Sequence, residues 1–332
     1  YNTIFIFRLL PLFSCGNDAI INILEDLKMK LTPVIAAIAA SFTINTSYAF
    51  NVYSKPVTVV IPFAPGGGVD QTFRNLQRYA TSKGITLNPV YKPGAEGLIA
   101  KRELINMPED GFHLSVTTAG VIANYRITNP ETDVVPITAI RDSIMVFVTH
   151  PNSNINTFDE LEKSVKDGKK VSFGFGAPGQ RVVLDQFFSL VKPSTAPLLV
   201  PYKGGAPVVA DLIGGHVDVA AVPLSIVKNH IDSGKLKLLA IGAKTKIDGL
   251  PDVTLIKSKY PTWEDPDAFA VVVEKGTDPT AIKFWSEFMK GYINDTNVRK
   301  EFTAEYTIPS EFGPTAIEKM IELSIKNIKS LK

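Results

Sequence analysis

Three glycine-rich turns carry most of the chemistry this sequence can offer. The first, Phe63-Ala64-Pro65-Gly66-Gly67-Gly68-Val69-Asp70, lies between a β-branched run and a helical spacing. Glycine lets the backbone come close to a ligand, and the free N–H groups and positive dipole end of a following helix favour an anion. Asp70 is placed to cap that helix. Three consecutive glycines exceed what a strand–helix turn needs, so an anion site is favoured over a bare turn. The Gly-Lys-Ser/Thr ending of a P-loop is missing.

The second turn, Gly174-Phe175-Gly176-Ala177-Pro178-Gly179, spells the G-x-G-x-x-G of dinucleotide folds. The strand that follows ends Val200-Pro201-Tyr202-Lys203 with no acid until Asp211, so the ribose contact of such folds is missing. The same loop can offer N–H groups to a carboxylate, and Gln180 and Arg181 follow at once. Arg181 reads either as a bidentate fork for a carboxylate or as a solvated helix residue. The third turn, Tyr202-Lys203-Gly204-Gly205-Ala206-Pro207, sets Tyr202 at a strand end, where it would face the crevice of an α/β sheet, and Lys203 reads as a surface residue.

Sets for covalent or metal chemistry do not assemble. His113, His150, His216 and His230 are scattered, and His216 beside Asp218 reads as a loop histidine. There is no G-x-S-x-G elbow. Glu109-Asp110 and Asp265/Asp267 sit among polar turn residues and read as solvated. The expectation is a protein with no catalytic residues, metal or cofactor.

The elements that must position these turns alternate between strand and helix, which argues for α/β layers. Strands are expected at Val57–Phe63, Thr86–Val90, Leu114–Thr118 and Ile144–Thr149, and then again at Val171–Phe175, Leu198–Tyr202, Val217–Val222 and Leu236–Ile241. Thr157 and Glu160 form a capping-box start for a helix to Lys166. A further strand, Ala268–Val273, and two helices near 280–294 and 315–329 return to the first unit. The expected lobes are 51–150 plus 268–332, and 151–267, joined by two crossings with a cleft between them. No internal repeat is visible.

Composition sets the class. The 332 residues, 45% of them hydrophobic, suit two domains with a large core. A balance of 35 basic and 33 acidic residues gives no reason to expect nucleic acid as partner. A single cysteine, Cys15, excludes a disulfide framework. Met29-Lys30, the apolar run Leu31–Phe42 and Ser47-Tyr48-Ala49 have the form of a cleaved export signal spanning 29–49, with cleavage after Ala49. Residues 1–28 then read as over-extended upstream translation.

Several segments together resemble one family. Pro62–Asp70, Lys92-Pro93-Gly94-Ala95-Glu96-Gly97, Pro108–Phe112, Val200–Leu212, Gly214–Asp218, Ser233–Ala240 and Leu250–Val253 are similar, in order and spacing, to the extracytoplasmic substrate-binding receptors of tripartite tricarboxylate transporters. The resemblance implies a two-lobed periplasmic binding protein of the Venus-flytrap type (type II-like). Each lobe would be a mixed sheet flanked by helices, with the ligand in the interlobe cleft. It implies a monomeric periplasmic receptor that captures a small organic carboxylate and delivers it to membrane permease subunits.

Carried over by position, Phe63, Pro65, Gly66, Gly67 and Asp70 stand on one side of the cleft. Gly174, Phe175, Gly176, Gly179, Gln180 and Arg181 face them, with Tyr202, Val222 and Pro223. Thr118 and Ala119 form the floor. The family's serine-rich run and histidine after the second-lobe glycines are here Gln180, Arg181, Val182 and Val183, and its tryptophan-glycine element is Phe269-Ala270. Phe63 and Phe175 would favour a ligand with an apolar or aromatic middle, and a charged Arg181 fork a second carboxylate. The alternatives are a carboxylate-sensing periplasmic subunit of a signalling system, and a secreted enzyme.

Overall fold

Val57-Thr-Val-Val-Ile61 is β-branched throughout and buried at all but Thr58, as a strand with helices on both faces requires. This strand, β1, belongs to a computed structural model that describes residues 50–130, 134–243, 245–264 and 267–330. The readings of 1–28 and 29–49, and of Asp265, fall outside those residues. Phe50–Lys332 forms one compact unit.

The unit holds two six-stranded sheets. One contains β1, β2 (Leu87–Tyr91), β3 (His113–Thr118), β4 (Val134–Asp142), β11 (Ala268–Glu274) and β12 (Ile308–Pro309), in the order β12-β4-β11-β3-β1-β2. The other contains β5 (Met145–Thr149), β6 (Ser172–Phe175), β7 (Leu198–Pro201), β8 (Val219–Pro223), β9 (Lys237–Ile241) and β10 (Thr254–Leu255), in the order β10-β9-β5-β8-β6-β7. Each sheet with its helices is a lobe.

The two sheets repeat one plan. β1 pairs in parallel with β2 and β3, and β6 in parallel with β7 and β8. Each sheet then accepts one antiparallel strand in its middle, β11 between β3 and β4, and β5 between β8 and β9. The repeat that the sequence hides is therefore a topological one. It also moves the expected boundary, because β5 falls within the expected first lobe (51–150) and instead pairs with β8 and β9 of the second. The first crossing falls between β4 and β5, at Ser143-Ile144, and the second leads through Asp267 into β11. Ser143 N–H donates to the Asp267 carbonyl at 3.1 Å, so the two crossings are tied together.

Local signals set several helix starts. Thr157 accepts from the Glu160 N–H, while the Glu160 carboxylate reaches the Asn156 N–H, one residue before the cap. Two helices absent from the sequence reading, Ala119–Thr128 and Thr296–Ala304, are capped by Thr118 and Asp295.

Behind the first glycine turn lies a wholly buried arginine. Arg141 on β4 donates from Nε to the Thr72 hydroxyl (3.0 Å), pairs with Glu305 and stacks between Phe269 and Phe302. Thr72 in turn donates to the Gly68 carbonyl at 2.8 Å, so the core cation braces the start of the helix Gly68–Ser82. Glu305→Gln would leave that guanidinium uncompensated, at a cost of about 3 kcal/mol. The expected outcome is a clear drop in the urea-unfolding midpoint, and an unchanged midpoint would contradict it.

Candidate functional site

The C-terminal ends of the parallel strands in both sheets face one cleft, where open α/β sheets bind ligands. From the first lobe come the turn after β1 and the segment Gly94–Gly97 after β2. From the second come the turns after β6 and β7. The lobes touch there: Ala64 N–H donates to the Lys203 carbonyl at 3.0 Å. A Cβ on Gly67 would lie 3.7 Å from Gly205 N, and one on Gly204 3.3 Å from Ala64 N. The cleft is closed.

Each lobe braces its glycine turn in the same way. The third residue of the following helix reaches back to the N–H four residues earlier. Gly66 N–H donates to Asp70 Oδ2 at 2.8 Å, and Gly176 N–H to Gln180 Oε1 at 2.7 Å. Asp70 is thus not the helix cap expected from the sequence, since that position is Gly67, which has no side chain to offer. Asp70 also receives the Tyr91 hydroxyl (2.5 Å) and Arg74 Nε (3.3 Å), and its charge raises the Arg74 pKa. The helix Gly68–Ser82 therefore starts with a carboxylate, whereas Pro178–Val191 starts with a neutral amide at the same place. The second helix keeps more of its positive end.

The remaining expected residues divide. Phe63 and Phe175 line an interlobe cavity of about 290 Å³ together with Gly94–Gly97, Gly176, Ala177 and Pro201 to Lys203. Larger hollows of about 400 and 460 Å³ lie around Lys169 and Lys170, at the N-terminal strand ends and away from the crevice. Tyr202 lines the interlobe cavity and donates to Asp211 at 2.8 Å; burial, then the Asp211 carboxylate, push its pKa up to about 12. Pro65 and Gly66 are exposed, Gly66 with φ +87°. Pro223 reaches across to the first lobe, 3.6 Å from where a Gly68 Cβ would sit.

Two expected residues stand away from the cleft, and a third is held along its own helix. Gly174 packs beneath the turn, against Val208 and Tyr202. Val222 is wholly buried in the second-lobe core. Arg181 donates from Nε to both Asp185 oxygens (2.8 Å) and lies over Phe175, which matches the helix-surface reading rather than the free fork. The Gly94–Gly97 segment holds all four residues at positive φ, Ala95 (46°) and Glu96 (52°) among them. Such strain is characteristic of ligand-facing loops.

The floor holds the main surprise. Thr118 caps the helix Ala119–Thr128, with Ala119 buried beside it. Both Thr118 and the Gly120 N–H (3.3 Å) bond the carboxylate of Asp267, which is 5% exposed. A Cβ on Gly179 would lie 2.5 Å from Asp267 Oδ2, and one on Gly120 2.7 Å from Gly179 N. Asp267, read from the sequence as solvated, is enclosed by both lobes. Burial raises its pKa to about 6 against the opposing bonds from Gly120 and Thr118. Nothing local in Glu264–Asp267 marks this, because the enclosing residues are remote in sequence.

Two expectations follow. A carboxyl whose pKa is raised is favoured when protonated, so its contribution to stability is full below its ordinary value near 4 and is lost as pH rises through about 6. Asp267→Asn should therefore raise the melting temperature at about pH 7.5, by the equivalent of about 3 kcal/mol, and leave it unchanged near pH 4; no gain at neutral pH would refute this. Gly179→Ala should prevent the lobes from closing, whereas Gly67→Ala, with φ −85° and its nearest neighbour at 3.7 Å, should leave closure intact. Small-angle X-ray scattering of the two variants separates these outcomes.

Comparison with known proteins places this geometry. A family described as "Tripartite tricarboxylate transporter family receptor" matches residues 74–328. Protein BugT of Bordetella pertussis (strain Tohama I) is 28% identical over 295 residues, covering 84% of this chain and 89% of the relative. Two solved structures share the fold. One is an R. palustris protein with adipate (TM-score 0.77, 20% identity, 84% of this chain and 96% of that one). The other is MatC from Rhodopseudomonas palustris with bound malate (TM-score 0.76, 20% identity, 84% and 99%). The chain belongs to the receptor family of the tripartite tricarboxylate transporters.

Proposed function

We propose that this chain is an exported, periplasmic solute receptor that captures a small organic carboxylate in its interlobe cleft and hands it to the membrane permease of a tripartite transporter. The observation that carries the reading is the pairing of two glycine turns from different lobes, each leading into a helix N-terminus and closing on the other through backbone atoms. Backbone N–H groups in that position suit an anion. Family membership supports the same class, and two proteins of the same fold hold adipate and malate. The cleft is lined largely by backbone and aromatic rings, which suits binding rather than turnover.

For ligand class, Phe63 and Phe175 favour a carboxylate with an apolar or aromatic middle over a heavily hydroxylated one. With Arg181 Nε held by Asp185 and the Tyr202 hydroxyl donating to Asp211, recognition of a second carboxylate falls to backbone donors. A thermal-shift screen against C4–C9 aliphatic and aromatic mono- and dicarboxylates tests the reading. A ligand at 100 times its dissociation constant should stabilise the fold by about 2.7 kcal/mol, and no shift with any carboxylate would overturn it. Export is tested separately, since mass spectrometry of protein recovered from a Gram-negative periplasm should give an N-terminus at Phe50. Retention of residues 1–49 would refute that part.

A further inference from the structure

We propose that Asp267 couples closure of the cleft to the uptake of one proton, so that capture of a ligand carries a proton into the closed form. This rests on reading the cleft as one that opens and closes about its two crossings. The geometry has three parts. Asp267 belongs to neither lobe: it lies in the second crossing, and its carbonyl is tied to Ser143 N–H of the first. Its carboxylate takes its bonds from one lobe, from Gly120 N–H and Thr118. The other lobe supplies the lid, because Gly179 lies against Oδ2 with no room for a Cβ between them.

Opening at the crossings moves Gly179 away from Gly120 and lets water reach the carboxylate, while the bonds from the first lobe persist. Desolvation, the dominant cause of the raised pKa, is thus the part that depends on closure. Among the described residues no charged side chain bonds it. On the elements packed around it, Arg126 pairs with Glu318, Arg181 with Asp185, and Asp142 accepts from Ser310. A ligand anion held nearby adds to the preference for the protonated form.

The direction is fixed by linkage. The closed form holds its proton up to about pH 6, and the open form, which keeps the Gly120 and Thr118 bonds without the burial, no higher than the ordinary 3.8, so closure becomes easier as pH falls between those limits. A separation of about two units corresponds to about a 100-fold change in the closed-to-open ratio. Lowering the pH towards 5 therefore favours the closed, loaded state, and a return to neutral pH favours release.

The test needs no ligand, so its failure is distinct from failure of the carboxylate reading. A Cβ on Gly66 would lie 3.5 Å from Ala206 Cβ, within disulfide reach. Gly66→Cys with Ala206→Cys, in a Cys15→Ser background, locks the cleft shut when oxidised, provided the reduced variant keeps the native circular dichroism spectrum despite a side chain at φ +87°. In protein carrying carboxyl-13C aspartate, the Asp267 resonance is the one lost in Asp267→Asn. Its titration midpoint should lie near pH 6 in the oxidised protein and at least about one unit lower in the reduced protein. Equal midpoints, or a locked midpoint below about 5, overturn the proposal. Should the double variant not fold, scattering by the natural chain decides. Its radius of gyration should be smaller at about pH 5 than at about pH 7.5, and Asp267→Asn should have the small radius at both. A natural chain that does not respond to pH, or a variant that responds as the natural chain does, overturns the proposal.

Discussion

Between Gly120 of one lobe and Gly179 of the other there is room for backbone and nothing more. That approach lets two helix N-termini face one space, and it rests on glycine at positions where a Cβ would collide. The glycine turns beside it are held from behind, by Asp70 and Tyr91 in the first lobe and by Gln180 in the second. Arg141 extends the first of these supports into the core through Thr72 and the Gly68 carbonyl.

The two supports are alike in geometry and unlike in charge. An aspartate at the third helical position places a carboxylate on the very N–H groups that an anionic ligand would use, while a glutamine there does not. Positive potential in the cleft is therefore weighted towards the second lobe. The buried carboxylate of Asp267 stands at the same junction, so the meeting place of the two lobes carries charge wherever that group is ionised.

The fold class was legible because buried β-branched runs such as Val57–Ile61 alternate with helical spacings, a pattern set within each segment. The glycine turns were legible for the same reason. What escaped depended on partners distant in the chain. The strand Met145–Thr149 looks the same whichever sheet it joins, and only pairing with β8 and β9 assigns it. Val134–Asp142 carries Pro136 and Arg141, and so lacks a clean strand pattern although it is largely buried. Val222 sits at a strand end that the resemblance sets at the cleft, yet its side chain is buried in the second-lobe core. Asp267 has polar neighbours in sequence and is enclosed in space by Thr118, Gly120 and Gly179, all remote in the chain. Arg181 was open between two roles, and Asp185, one helical turn on, settles its Nε on the helix itself.

The repeated plan of the sheets has a consequence for the order in which the chain can assemble. The second lobe is one uninterrupted stretch, β5 to β10, whose central antiparallel strand comes first. The first lobe receives its central strand late: β11 must insert between β3 and β4 after the whole of the second lobe has been made. A chain emerging N-terminus first thus has β1 to β4 waiting as two separate pieces, with the facing edges of β3 and β4 unpaired, while the second lobe can already close. Such edges invite pairing with other chains. Holding the polypeptide unfolded until β11 has arrived would protect this architecture, and translocation across a membrane in an extended state does that as a matter of course.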